Sequence, residues 1–215
     1  MEALQKYFQW FDQSEIRISM DIYLASSMRR EQLAHQLIQM AVRETDFREK
    51  SQTAQKPPAG GNQAMEDLHS QNTRQLREII AEIGWPTRSK VGEQASDAAW
   101  FIVQHAIGEP AFMRGCYALM QLVESDINPV SLAYLHDRIC YFSGRPQRYG
   151  TQSDGNRLYP VEDTDSLNSL RAGLKLPPIP ESRIHTAGEC ANGKAMQDLH
   201  TDPIFNAWRK KVGWV

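Results

Sequence analysis

The sequence predicts a mainly α-helical protein: a single helical-bundle-like domain with a short β-ribbon or extended loop after Gly144. Three observations carry that expectation. Apolar residues recur at spacings of three and four along most of the chain, which at about 100° per residue gives a helix one apolar face. Glycine and proline cluster between these stretches, at 57–61, 84–86, 108–110 and 144–146, where they stop one helix before the next begins. A chain of 215 residues, 41% hydrophobic, is also long enough for one substantial core without requiring a second.

Taken in order, residues 1–11 hold Tyr7, Phe8, Trp10 and Phe11 and read as a short helix that must bury its rings against the main body or a second chain. From Asp21 to Lys50, Leu33, Leu37, Met40 and Ala41 form the apolar stripe of a long amphipathic helix. Glu44 and Arg48, at i and i+4, read as an exposed salt bridge upon it. Residues 51–63, SQTAQKPPAGGNQ, read as a mobile loop. Helical spacing returns from Ala64 to Ile83, with Leu68, Leu76, Ile79, Ile80 and Ile83 inward.

The segment Gly92 to Ile107 is apolar on every side between Ala98 and Val103, which marks a central helix. His105 shares a core-facing stripe with Ala95, Ala98 and Ile102. Ala111 to Ser125 forms another helix. Asn128 and Pro129 then supply the cap and first-turn proline for Val130 to Phe142, an almost continuous apolar helix that carries Asp137 between Tyr134 and Tyr141. A carboxylate so placed needs a partner, because an unpaired buried charge is costly. Residues 147–152 and 158–161 form a candidate ribbon about Gly155 and Asn156. Asp163 or Thr164 caps a helix that runs through Arg171 and ends at Gly173. The organisation read from this is an N-terminal helical extension over 1–30, a helical core over 31–176, and a C-terminal extension over 177–215 whose last stretch is again helical.

The bulk properties narrow the class. A formal charge of −2 with no basic run gives no footprint for nucleic acid. The first 25 residues show no secretory pattern, no apolar run approaches a membrane span, and the three cysteines are too widely spaced for a disulfide framework or a zinc site. A cytoplasmic protein with no cofactor and no metal is expected. Its partners would be a small-molecule ligand, and a protein partner or second copy engaged through either extension.

Several segments stand in a set order: GWPTRSKVG from Gly84, AAWFIVQHA from Ala98, AYLHDRI from Ala133, GRPQRYGTQ from Gly144 and PVED from Pro160. Over about residues 31–176 the chain resembles the bacterial domain-of-unknown-function 6624 family. The resemblance implies no assigned activity. It singles out Asn72, Trp85, Trp100, Gln104, His105, Asp137, Arg138, Gln147, Tyr149, Gln152, Asp163 and Arg171.

These residues suggest one polar pocket in a helical bundle. His105, oriented by Asp137 and joined by Tyr149, is the candidate catalytic set. Trp100, Gln104, Arg138, Gln147, Gln152, Asp163 and Arg171 are candidate ligand contacts for an anionic or amide-bearing small molecule. The same groups would serve a binding module, a metal-independent hydrolase or transferase with His105 as general acid or base, or a structural network tying ribbon to core. A further alternative is a metal-dependent phosphohydrolase of the HD type built on His105, His136, Asp137 and Asp163 or Asp165. Helical geometry disfavours it, since His136 is expected to point toward Leu132, Ala133 and Cys140, away from Asp137's face.

Overall fold

In the computed structural model, residues 13–53, 63–154, 157–184 and 202–215 are described. Among them the protein is mainly helical. Helix α1 (Gln13–Thr53) is followed by α2 (Gln63–Ile83), the single turn α3 (Arg88–Val91), α4 (Glu93–His105), α5 (Pro110–Leu122) and α6 (Pro129–Phe142). A two-stranded antiparallel ribbon, β1 (Ser153–Asp154) and β2 (Arg157–Leu158), leads to α7 (Leu167–Gly173) and finally α8 (Pro203–Val212). The expected aromatic helix over 1–11 and most of the loop over 51–63 lie outside the described residues.

Helix α4 is the axis of the bundle and touches α1, α2, α3, α5 and α6. Its small residues explain why: Ala95, Ser96, Ala98 and Ala99 are buried and let neighbouring backbones approach, while Ile102 and Val103 fill the space beyond. The stripe predicted on α1 is the one that packs there, since Leu33, Leu37 and Met40 are fully buried. Helix α2 contributes Leu76 and Ile79, and α6 contributes Leu135, Ile139 and Phe142.

The segment from Gly144 to Val161 is held less by its ribbon than by side chains that hydrogen-bond to its backbone. Gln147 sits beneath it, buried, and its amide donates to the carbonyls of Gln152 and Tyr159 at 2.8 and 2.9 Å while its carbonyl accepts from the Gln152 N–H. Gly150 turns with φ +64°, and a Cβ there would lie 2.9 Å from Ile179 Cδ1, so the turn needs glycine for both its conformation and its closeness to the second small core of Leu158, Val161, Leu167 and Ile179.

Expected as an appendage, the last helix is instead part of the main core. Asp202 caps α8 by accepting the N–H of Ile204 and Phe205, and Gly213 ends it in the left-handed region. That reversal swings Trp214 inward until it is 3% exposed, stacked 5.1 Å from Phe142, with its indole N–H donating to the Ile107 carbonyl at 2.8 Å. Arg209 reinforces the dock by donating to the Phe142 carbonyl at the end of α6.

Candidate functional site

Helix α6 presents two neighbouring residues, Asp137 and Arg138, to opposite surroundings. Asp137 is fully buried and faces the loop after Gly144. Its carboxylate accepts the backbone N–H groups of Arg148, Tyr149 and Thr151 at 2.8–3.1 Å, and the Thr151 hydroxyl at 3.0 Å. His136 Nδ1 lies 3.1 Å from the same carboxylate, which corrects the expectation that this ring points away from it. The hydrogen bond to Asp137, helped by Cys140, holds the imidazole's pKa up at about 9. Arg171 closes the far side of the loop, donating to the carbonyls of Tyr149, Gly150 and Pro177. Both carboxylate oxygens of Asp137 and the side chains of Gln147 and Arg171 are thus occupied by the chain's own backbone.

That closed network makes one prediction about pH. The His136 pKa is raised in the folded state from an ordinary 6.5 to about 9, so its ion pair contributes stability that is fully present below about pH 6.5 and lost as pH rises through about 9. Urea midpoints measured from pH 6 to 10 are expected to fall across that window, and His136→Gln to flatten the fall.

His105 lies in a different cluster, built by α1, α2 and α4. Its Nδ1 is 2.6 Å from Glu44 Oε1, and His69 Nε2 is 3.2 Å from that same oxygen. Neither contact is aligned with the ring's N–H direction, so both act as close electrostatic contacts more than as directed hydrogen bonds. The other oxygen, Oε2, accepts from the Asn72 amide at 2.8 Å. The His69 and His105 rings stack at 5.8 Å, 14° from parallel, and Phe101 stands edge-on to His105 at 4.6 Å.

Glu44 was expected at the surface with Arg48, yet it is 0% exposed, and Arg48 reaches it only at 3.7 Å. Its position was readable: Leu33, Leu37, Met40 and Glu44 advance by four, three and four residues along one stripe. The i+4 arginine disguised it. Asn72 and His69 follow from Leu76 in the same way, one and two turns back along α2.

Electrostatics set the roles. Burial alone would raise the Glu44 pKa, but His105 and His69 outweigh it and hold the carboxyl down at about 2. Burial depresses His105 against the pull of Glu44, the charges of Arg48 and Arg138 depress it further, and the net shift is downward from 6.5, so the ring is mostly neutral near pH 7. A carboxylate 2.6 Å from Nδ1 favours the tautomer with its proton there, which would leave Nε2 as the basic nitrogen. Arg138 is half-buried, enough to pull its guanidinium down to about 10. It lies against the Phe142 face at 5.9 Å, and among the described residues it has neither a carboxylate partner nor an acceptor for Nε.

The expected pocket therefore divides. Asp137, Tyr149, Gln147, Gln152 and Arg171 come together in the loop network, and Gln152 adds a contact to the Thr151 hydroxyl. His105 and Arg138 belong to the other cluster, with Gln104 half-buried beside His105 on the last turn of α4. Trp100, one turn earlier, meets Tyr134 edge-on at 6.2 Å, and its buried indole N–H has no acceptor among the described residues. Asp163 is exposed and caps the turn before α7, accepting the N–H groups of Asp165 and Ser166. A groove of about 430 Å³ between α1 and α4 is lined by Ile38, Val42, Trp100 and Phe101 and by the carboxylates of Asp46 and Asp97; Phe101 is also the ring that stands edge-on to His105. Cys116 and Cys140 are buried, and burial pushes the Cys116 thiol up to about 12, where it is inert.

Among the described residues, no group of three or more His, Cys, Asp or Glu side chains is arranged to hold a metal ion, and no helix is long and apolar enough to cross a membrane. The family model described as Family of unknown function (DUF6624) matches residues 28–193. The chain belongs to this family. No curated protein and no solved structure matches it. The matched stretch contains both clusters and ends before α8, so the helix that seals the DUF6624 bundle in this chain lies beyond the family's common part.

Proposed function

We propose that this protein binds a small anionic molecule at the His105 cluster, with Arg138 and Arg48 taking the negative charge. One observation carries the reading. The Arg138 guanidinium is drawn into the protein beside His105 and Arg48 with no carboxylate partner among the described residues, and a half-buried cation so placed favours an anion. The loop network around Asp137 has no comparable vacancy. Phosphate and carboxylate both match a guanidinium's paired N–H donors.

A second reading is favoured by the Glu44–His105 contact. A carboxylate at Nδ1, with no partner at Nε2 among the described residues, is the arrangement of a general base held by an acid, and an anion on Arg138 would place a reacting group beside it. Catalysis would then be metal-independent hydrolysis or group transfer. Calorimetric titration with inorganic phosphate, pyrophosphate and dicarboxylates tests the common element. Arg138→Gln is expected to weaken binding about ten- to a hundredfold, the worth of one charge-assisted contact. Binding that is unchanged in Arg138→Gln overturns the assignment.

A further inference from the structure

Helix α1 is 41 residues long, about 60 Å, and none of its described side chains is buried before Leu33. The part ahead of the bundle is nevertheless rich in large apolar side chains. Met20, Ile22, Tyr23, Leu24 and Met28 are 51–69% exposed. An apolar patch of this density, on a helix face that no other described residue buries, marks an interaction surface.

Its pattern says what covers it. At about 100° per residue, Arg17, Met20, Leu24, Met28 and Glu31 all fall within about 40° of Leu24, whereas Leu33, which enters the core, lies on the opposite side of the helix. The stripe is a palindrome in chemical character about Leu24: methionines four residues to either side, and beyond them, seven residues away, arginine on one side and glutamate on the other. A second copy running antiparallel, with Leu24 on the two-fold axis, sets Met20 against Met28 and Arg17 against Glu31, twice over. Neither Arg17 nor Glu31 has an ion-pair partner among the described residues. A parallel pair would place arginine on arginine.

We infer that the protein self-associates into a two-fold dimer through the projecting half of α1, antiparallel and centred on Leu24. The i±4 ridge of Met20, Leu24 and Met28 interdigitates with its own copy, and each bundle hangs from the face away from the seam. Ion pairs at either end fix direction and register more than they add affinity.

Sedimentation velocity on the full chain tests this, because Arg17, Leu24 and Glu31 are all exposed. The wild type is expected to dimerise, and Leu24→Lys, which faces two like charges across the axis, to leave it monomeric with unchanged helical circular dichroism. Arg17→Glu is expected to raise the dissociation constant about tenfold, as is Glu31→Arg, and the two together to restore the wild-type value. A wild type that stays monomeric overturns the inference, as does a double variant that fails to recover. A dimer that survives Leu24→Lys but is lost in Trp10→Ala would assign the association to the aromatic segment at 1–11, and overturns it too.

Discussion

Asp137→Ala is expected to cost the fold about 3–5 kcal/mol, the range for removing one partner from a buried charged network. Three backbone N–H groups, one hydroxyl and the His136 ring converge on this carboxylate, and no solvent reaches it. Alanine leaves those donors facing a void. The loss is expected to show as a lower urea midpoint and as rapid hydrogen exchange at the amides of Arg148, Tyr149 and Thr151. Asp137→Asn keeps the shape but aims an NH2 group at donors, so it is expected to recover less than half of the loss. An alanine variant within about 1 kcal/mol of wild type would show that the loop is held by Gln147 and Arg171 alone.

Glu44→Gln should separate the two clusters by their response to acid. The Glu44 carboxyl is lowered from 4.5 to about 2 in the folded state, so its contribution is present above about pH 4.5 and lost as pH falls through about 2. Glutamine resembles the protonated acid. At pH 7 the variant is therefore expected to be less stable by roughly 3 kcal/mol, and the difference to close between about pH 4.5 and 2 as the wild type loses the same interaction. A difference that persists unchanged at pH 2 would mean that packing, not charge, makes Glu44 matter. In either protein, the His105 tautomer read by nitrogen chemical shifts reports whether the proton sits on Nδ1.

Much of the bundle was legible because burial writes itself into periodicity. The centre of α4 is apolar on every side, and that alone placed it on the axis; Asn128 and Pro129 marked the start of α6 to the residue. The cap expected at Asp163 or Thr164 was misplaced: Asp163 holds only the preceding turn, and α7 starts later, with Ser166 at its N-cap and no side-chain cap bond. What periodicity conceals is a charged residue on a buried stripe, since a glutamate with an arginine one turn on looks the same at the surface and inside. Glu44 was misread on that account, and with it the partner of His105: the buried carboxylate visible in the sequence was Asp137, whereas α1 supplies the one that meets the ring. Adjacent residues were misjudged too. Helix geometry separates the Cβ directions of His136 and Asp137, but an imidazole is long enough to swing back to its neighbour. The docking of α8 had no local signal, because nothing in its tryptophans says which surface they will find.

The indole of Trp214 closes the bundle over Phe142 and reaches the Ile107 carbonyl across 107 residues of chain. During synthesis, α4, α5 and α6 leave the ribosome long before the residue that covers them. The nascent chain therefore carries an uncovered aromatic surface for the whole time that the segments following α6 are being made, a window in which chaperones or neighbouring nascent chains compete with α8 for the same ring.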